Sequence, residues 1–379
     1  MKLNRKMLAT KPSGIRKIGQ LARQHEGCIA LSIGEPDLDA PESVRSNISK
    51  AILAGDTHYP PNPGIPALRR ELAHSVSQRF HADYTAENTL ITIGSTEALA
   101  SALFAILNPG DEVIVPIPSF GLYQPQIEMA GGVYVPMDIS GSDYQVTADQ
   151  LAALITDRTA AILFASPNNP TGTIQGKSAL EAIKAAALAH DLYIIDDSVY
   201  DQLVYIPEFP TLMGDPELRD RLIYVNAFSK TYAMTGVRIG YALADLPVME
   251  QMIKVHSFLV VSAPGFVQTG CLSITDIANS ESVRLYQSRL TMVMQALDAI
   301  GLPYPEPRGA FYIFPDISQF GIPDETFCTR LIEEAGLALV PSSCFGVPGH
   351  VRISFCYDTN ILEAGMKRLA SFVYTLRNA

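Results

Sequence analysis

The chain has 379 residues, 47% hydrophobic and only 18% charged, which suits a large buried core and excludes a disordered chain. Its length exceeds one ordinary core, so two domains, or one large α/β domain with a satellite, are expected. The formal net charge of −11 excludes general nucleic-acid binding, which needs clustered Lys and Arg to neutralise phosphates.

The basic N-terminal stretch has its first acid at Glu26, so a transit peptide is one reading. The other is an amphipathic helix over 13–24, with Ile15, Ile18, Leu21 and Ala22 on one face. Short apolar, β-branched runs then recur at 89–93, 112–115, 132–136, 160–165, 192–196, 222–226 and 238–243. Helical patterns such as 96–107 and the Ala- and Leu-rich 178–190 lie between them. This alternation predicts an α/β fold with a mostly parallel sheet of seven strands, helices on both faces, and strands buried on both sides. From about residue 285 the pattern changes to a long helix (284–300), short strands at 310–314, 337–340 and 351–355, and a last helix near 361–376. A large domain over 46–284 and a smaller α+β domain from 1–45 and 285–379 are therefore expected. No run approaches 18 apolar residues, so no membrane span is expected. The cysteines at 28, 271, 328, 344 and 356 are odd in number and lack C-x-x-C spacing, which favours reduced thiols and a cytoplasmic location.

Ligands of open α/β sheets bind at the carboxyl ends of strands, so the residues after each strand are the candidates. After 89–93 come Gly94, Ser95 and Thr96, which read either as a helix cap or as an anion site at a helix N-terminus. After 160–165 comes Ser166-Pro167-Asn168-Asn169-Pro170-Thr171-Gly172, a rigid turn that either stands alone or holds an Asn toward a ligand. Asp197 closes another run, with Tyr200 following; it is a cap, or a carboxylate facing a cationic ligand atom. Lys230 follows the run at 222–226, and a partly buried amine there is a good Schiff-base nucleophile if it does not snorkel to solvent. Arg238 and Arg352 sit between apolar β residues and need an anion, either a structural partner or a bound phosphate or carboxylate. No H-E-x-x-H, Cys/His cluster, G-x-S-x-G elbow, Walker A or early G-x-G-x-x-G is present, so zinc, serine-hydrolase and nucleotide chemistries lack support.

Taken in order, these pieces resemble the class I/II aminotransferases, the fold-type I family that depends on pyridoxal 5′-phosphate. The likeness runs from Ile33-Gly34-Glu35-Pro36-Asp37 to Arg352. Its most specific piece is Ser229-Lys230-Thr231-Tyr232-Ala233-Met234-Thr235-Gly236-Val237-Arg238-Ile239-Gly240-Tyr241, similar to the family pattern S-K-x-x-x-M-T-G-x-R-x-G-Y. Asn169-Pro170-Thr171-Gly172 and Asp197-Ser198-Val199-Tyr200 match two more. The resemblance implies that Lys230 carries the cofactor and shuttles a proton, and that Asp197 pairs with the ring nitrogen. It implies that Asn169 and Tyr200 bond the ring 3-oxygen, that Phe120 stacks on the ring, and that Ser95, Thr96, Ser229 and Arg238 hold the phosphate. Tyr59 would reach the phosphate of a neighbouring subunit, which implies a homodimer. Arg352, with Gly34 and Asn169 beside it, would take the substrate α-carboxylate. The activity implied is amino transfer between an amino acid and a 2-oxo acid by a ping-pong route. A lyase reaction on the same cofactor and a non-catalytic regulator are the rivals.

Departures from the pattern bear on the substrate. Thr96 stands where some aspartate-active relatives have lysine, which argues against an acidic side chain. Glu97 should point away from an anion site. Phe120, Tyr123, Phe311 and Tyr312 suggest an aromatic or neutral side chain, or are simply core.

Overall fold

The computed structural model describes residues 3, 7, 8, 10, 12 and 14–378. Its strands are β1 (Ile29–Ala30), β2 (Thr89–Thr92), β3 (Glu112–Ile117), β4 (Val133–Asp138), β5 (Thr159–Ala165), β6 (Tyr193–Asp197), β7 (Leu222–Ala227), β8 (Gly240–Leu243), β9 (Tyr312–Ile313), β10 (Leu337–Ala338), β11 (Val340–Pro341) and β12 (Val351–Ser354). Seven form one sheet in the order β2-β8-β7-β6-β5-β3-β4. The pairs β3–β4, β3–β5, β5–β6 and β6–β7 are parallel, while β8 runs antiparallel to both β2 and β7. Only residues 228–239 join β7 to β8, too few for a full crossover helix, so the chain turns back on itself.

The strand period of two divides the core cleanly. Ile114, Ile162, Ile194 and Tyr224 face Leu68, Leu72 and Val76 of helix Pro66–Phe80 and Ile183 and Ala187 of helix Lys177–His190. Their neighbours Val113, Leu163, Ile195 and Val225 face Leu99 and Leu103 of helix Ser95–Ile106 and Met249 and Met252 of helix Leu246–Leu259. Helices therefore cover both faces, as expected. β4 departs from the expected burial because it is an edge strand: Val133 is 44% exposed.

The expected strand at 337–340 is two pieces. β10 pairs parallel with β1, and β11 pairs antiparallel with β12, so the chain changes sheets at Leu339. β12 also pairs antiparallel with β9, which is only two residues of the expected 310–314 run. Helices Ser280–Ala299, Asp324–Ala335 and Thr359–Arg377 pack around these short strands in a separate apolar cluster that also takes in Ile18 and Ala22. Both belong to helix Gly14–Gln24, the expected amphipathic helix; the first residue of the expected range, 13, lies outside the described residues.

Candidate active site

The carboxyl ends of β5, β6 and β7 open on a cavity of about 260 Å³. It is lined by Lys230, Asp197, Asn169, Tyr200, Ser95 and Thr96, and also by Phe120, Ser229, Arg238, Gly34 and Arg352. Every sequence candidate except Tyr59 is thus gathered in one place; Tyr59 is 84% exposed and lies outside it.

Lys230 sits in a single helical turn, Phe228–Thr231, directly after β7. Its Nζ donates to the Gly34 carbonyl at 2.7 Å, and burial pulls its pKa from the usual 10.5 down to about 8. Asp197 is the last residue of β6. Its Oδ2 accepts from the Tyr123 hydroxyl at 2.7 Å, whereas its Oδ1 is buried without a partner. Burial raises its carboxyl to about 6, against the pull of the Tyr123 hydroxyl, the Val199 backbone N–H and Lys230. Asp196 points away, as strand alternation requires, and accepts instead from the Ser198 hydroxyl at 2.7 Å.

Arg352 is 2% exposed on β12. It donates through Nη1 to Asn169 Oδ1 at 2.8 Å and through Nη2 to the Ser32 carbonyl at 2.5 Å, while Nε is buried without a partner. Since a guanidinium offers donors only, the Asn169 oxygen must face it, and the amide nitrogen is left for the cavity. The Tyr312 and Phe345 rings lie 4.4 and 5.0 Å from the Arg352 guanidinium carbon.

At the opposite end, Gly94 (φ 76°) is the N-cap of helix Ser95–Ile106 and provides no side-chain cap. Ser95 and Thr96 are therefore the first helical residues and not caps, and their N–H groups are among those a helix leaves unbonded. Gly240 brings β8 against this turn: a Cβ there would stand 2.9 Å from Ser95 N and 2.8 Å from the Gly94 carbonyl carbon. Arg238 corrects the expectation of a buried β-strand arginine. It precedes β8 in a left-handed conformation (φ 59°), is exposed, and donates to the Thr235 carbonyl at 2.9 Å. Its guanidinium reaches across to the helix start, where a Cβ on Gly94 would lie 2.8 Å from Nη2. Glu97 does point away: its carboxylate accepts from Ile93 N at 3.1 Å and Ser101 Oγ at 2.6 Å and meets His256 Nδ1 at 3.2 Å.

Of the four aromatic residues, Phe311 is core, with no exposed surface and no place in the cavity wall. Phe120 and Tyr123 line the cavity and pack edge to face at 6.0 Å. Tyr312 lines it too and hydrogen-bonds the Tyr200 hydroxyl at 2.8 Å. Sequence reasoning gave Tyr123 no role as the partner of Asp197 and missed the lining by Ile15, Ile33 and Thr235.

Such a cavity offers anion donors at both ends, a buried acid with a spare lone pair, and an amine between them. Known proteins share this arrangement's sequence. Residues 26–369 match the family described as aminotransferase class I and II. An aspartate aminotransferase of Thermotoga maritima is 36% identical over 94% of each chain. Aromatic-amino-acid aminotransferase 2 of Thermococcus litoralis is 35% identical over 97% of each. The solved structure of Thermus thermophilus aspartate aminotransferase with maleate superposes with a TM-score of 0.92 at 34% identity, covering 98% of this chain and all of that one. The chain belongs to the class I and II aminotransferases, and its activity is the transfer of an amino group.

Proposed function

We propose that the cavity holds pyridoxal 5′-phosphate on Lys230 and that a cytoplasmic homodimer uses it to move an amino group between an amino acid and a 2-oxo acid. The observation that carries this reading is the unpartnered, buried Oδ1 of Asp197 in the same cavity as a lysine whose pKa burial lowers to about 8. A bare carboxylate oxygen there calls for a cationic partner, which a protonated pyridine nitrogen supplies. Bound in this cavity, the cofactor provides the electron sink that makes an amino-acid Cα–H acidic.

The chain's own residues do the rest. Ser95, Thr96, Ser229 and Arg238 grip the phosphate at the helix start, where the dipole is positive. Asn169 and Tyr200 donate to the ring oxygen, and Phe120 covers a ring face. Lys230 would form the covalent link, and its amine, set free when the substrate's amino group takes its place on the cofactor, would carry the proton from Cα. Arg352 binds the α-carboxylate, with Asn169 and Gly34 beside it. Among the described residues of one chain, three cations line the cavity (Lys230, Arg238 and Arg352), and each has a task in this reading. With Thr96, Ile15 and Ile33 in the wall, the donor is an amino acid with an uncharged side chain.

Tyr59 reaches the phosphate of the partner's site. Tyr59 and Phe258 are 84% and 90% exposed, and the hydrogen bond from Asn62 to the Val261 carbonyl joins the segments that carry them, which supports a second copy on this side. The smaller domain closes over the substrate. The separate apolar clusters support a division near 46 and 284, moved to the starts of helices Glu42–Leu53 and Ser280–Ala299, since a boundary at 46 or 284 would cut a helix.

Borohydride reduction of the holoenzyme followed by peptide mapping is expected to leave the pyridoxyl label on Lys230. Label on any other lysine removes the assignment.

A further inference from the structure

Tyr200 and Tyr312 come from different parts of the fold, the turn after β6 and strand β9, yet their hydroxyls meet at 2.8 Å inside the cavity. Both rings are almost wholly buried, at 3% and 2% exposure. They cross nearly at right angles, with centroids 5.6 Å apart. Gly34 admits the Tyr312 hydroxyl: a Cβ at that position would lie 1.8 Å from it. The Arg352 guanidinium sits 4.4 Å from the Tyr312 ring centroid, and among the described residues no cation lies over the Tyr200 ring.

We infer that Tyr312 is a positioning residue for Tyr200: its hydroxyl donates to the Tyr200 oxygen and thereby turns the Tyr200 O–H into the cavity, toward the cofactor's ring oxygen. The inference rests on the proposed contact between Tyr200 and that oxygen. Two hydroxyls sharing one hydrogen bond have one proton left over, and the direction of the bond decides which residue keeps it free. The cation on Tyr312 polarises its O–H and makes it the donor. Burial lifts both hydroxyls, Tyr200 well above the usual tyrosine value and Tyr312 to about 12, and Arg352 draws both down. Tyr200 then accepts on one side and donates on the other, and a hydroxyl that is itself a hydrogen-bond acceptor donates more strongly.

A donor at the ring oxygen draws off negative charge that would otherwise favour a proton on the adjoining nitrogen supplied by Lys230. The readout is the pH midpoint of the visible absorbance of the bound cofactor, titrated in holoenzyme. Tyr312→Phe keeps the ring beneath Arg352 and removes only the hydroxyl. It is expected to raise the midpoint by roughly half a unit to one unit, the worth of one neutral hydrogen bond, with KM for the amino acid near wild type. Tyr200→Phe should raise it further, and the double variant should match Tyr200→Phe alone. An unchanged midpoint in Tyr312→Phe, beside a shifted one in Tyr200→Phe, overturns the inference while sparing the role of Tyr200. Additive shifts overturn it as well, since Tyr312 would then act independently. No shift in Tyr200→Phe removes the contact with the ring oxygen and the inference with it.

Discussion

Asp197 and Asp196 show how one position along a strand separates an acid that lines the cavity from one that does not. Both are buried, but only Asp197 faces the cavity and keeps an unpartnered oxygen. Asp197→Ala is expected to retain some cofactor and to slow Cα deprotonation by roughly 10²–10³-fold, the scale of a lost preorganised charge contact. Asp196→Ala should leave turnover nearly intact, and single-turnover absorbance measurements on both variants decide between the roles. Equal losses would show that neither acid touches the cofactor. Arg352 combines a planar fork with aromatic rings at 4.4 and 5.0 Å, and lysine can reproduce neither. Arg352→Lys is expected to raise KM roughly 10- to 100-fold for donor and acceptor alike, with the resting absorbance of the cofactor unchanged. Loss of cofactor with normal KM would place the residue at the phosphate or in the core instead.

At the scale of elements, the anion end of the cavity depends on how closely β8 approaches the start of helix Ser95–Ile106. Gly240 makes that approach possible, because the atoms a Cβ would meet are backbone and cannot swing aside. Gly240→Ala is expected to cost about 1–3 kcal/mol of stability and to weaken cofactor binding by displacing the Ser95 and Thr96 N–H groups. Denaturant unfolding of the cofactor-free protein and equilibrium titration with the cofactor separate the two effects. A variant that loses stability but binds normally would show that the helix start does not hold the phosphate. Beneath the same helix, the carboxylate of Glu97 takes the Ile93 N–H and the Ser101 hydroxyl, tying the end of β2 to the first turns.

Across the whole molecule, the segment carrying Gly34 is held from a distance. Asp37 accepts from Arg289 at 2.8 and 2.7 Å, a two-bond pair in which Arg289 is 4% exposed. Helix Ser280–Ala299 thus ties down the strap whose Ser32 and Gly34 carbonyls receive Arg352 and Lys230. Asp37→Asn leaves a buried guanidinium short of its charge partner, at a cost of roughly 2–3 kcal/mol. Chemical denaturation is expected to register that loss together with a raised KM, since the strap carries Ile33 and Gly34 of the cavity wall. A stability loss with unchanged KM would mean the strap holds its place without this pair.

Much of the fold and of the site is local in origin and therefore legible in the chain. An apolar run such as 222–226 followed by Ser229-Lys230 places a lysine at a strand's end through its neighbours alone, and seven such runs became the seven-stranded sheet. The same logic put Asn169 just past its strand and Asp197 at the end of its own. Other features required the folded chain, because hydrophobic periodicity reports which face a residue takes and not which distant residue it meets. The direction of β8, the exposure of Arg238 and the change of sheet at Leu339 depend on pairing partners that periodicity does not name. Tyr123 meets Asp197 from 74 residues away, Tyr312 meets Tyr200 from 112 and Asn169 meets Arg352 from 183. Identity and order of the chemical groups are properties of consecutive residues, whereas the hydrogen bonds that aim those groups exist only once packing has brought separate strands to one cavity.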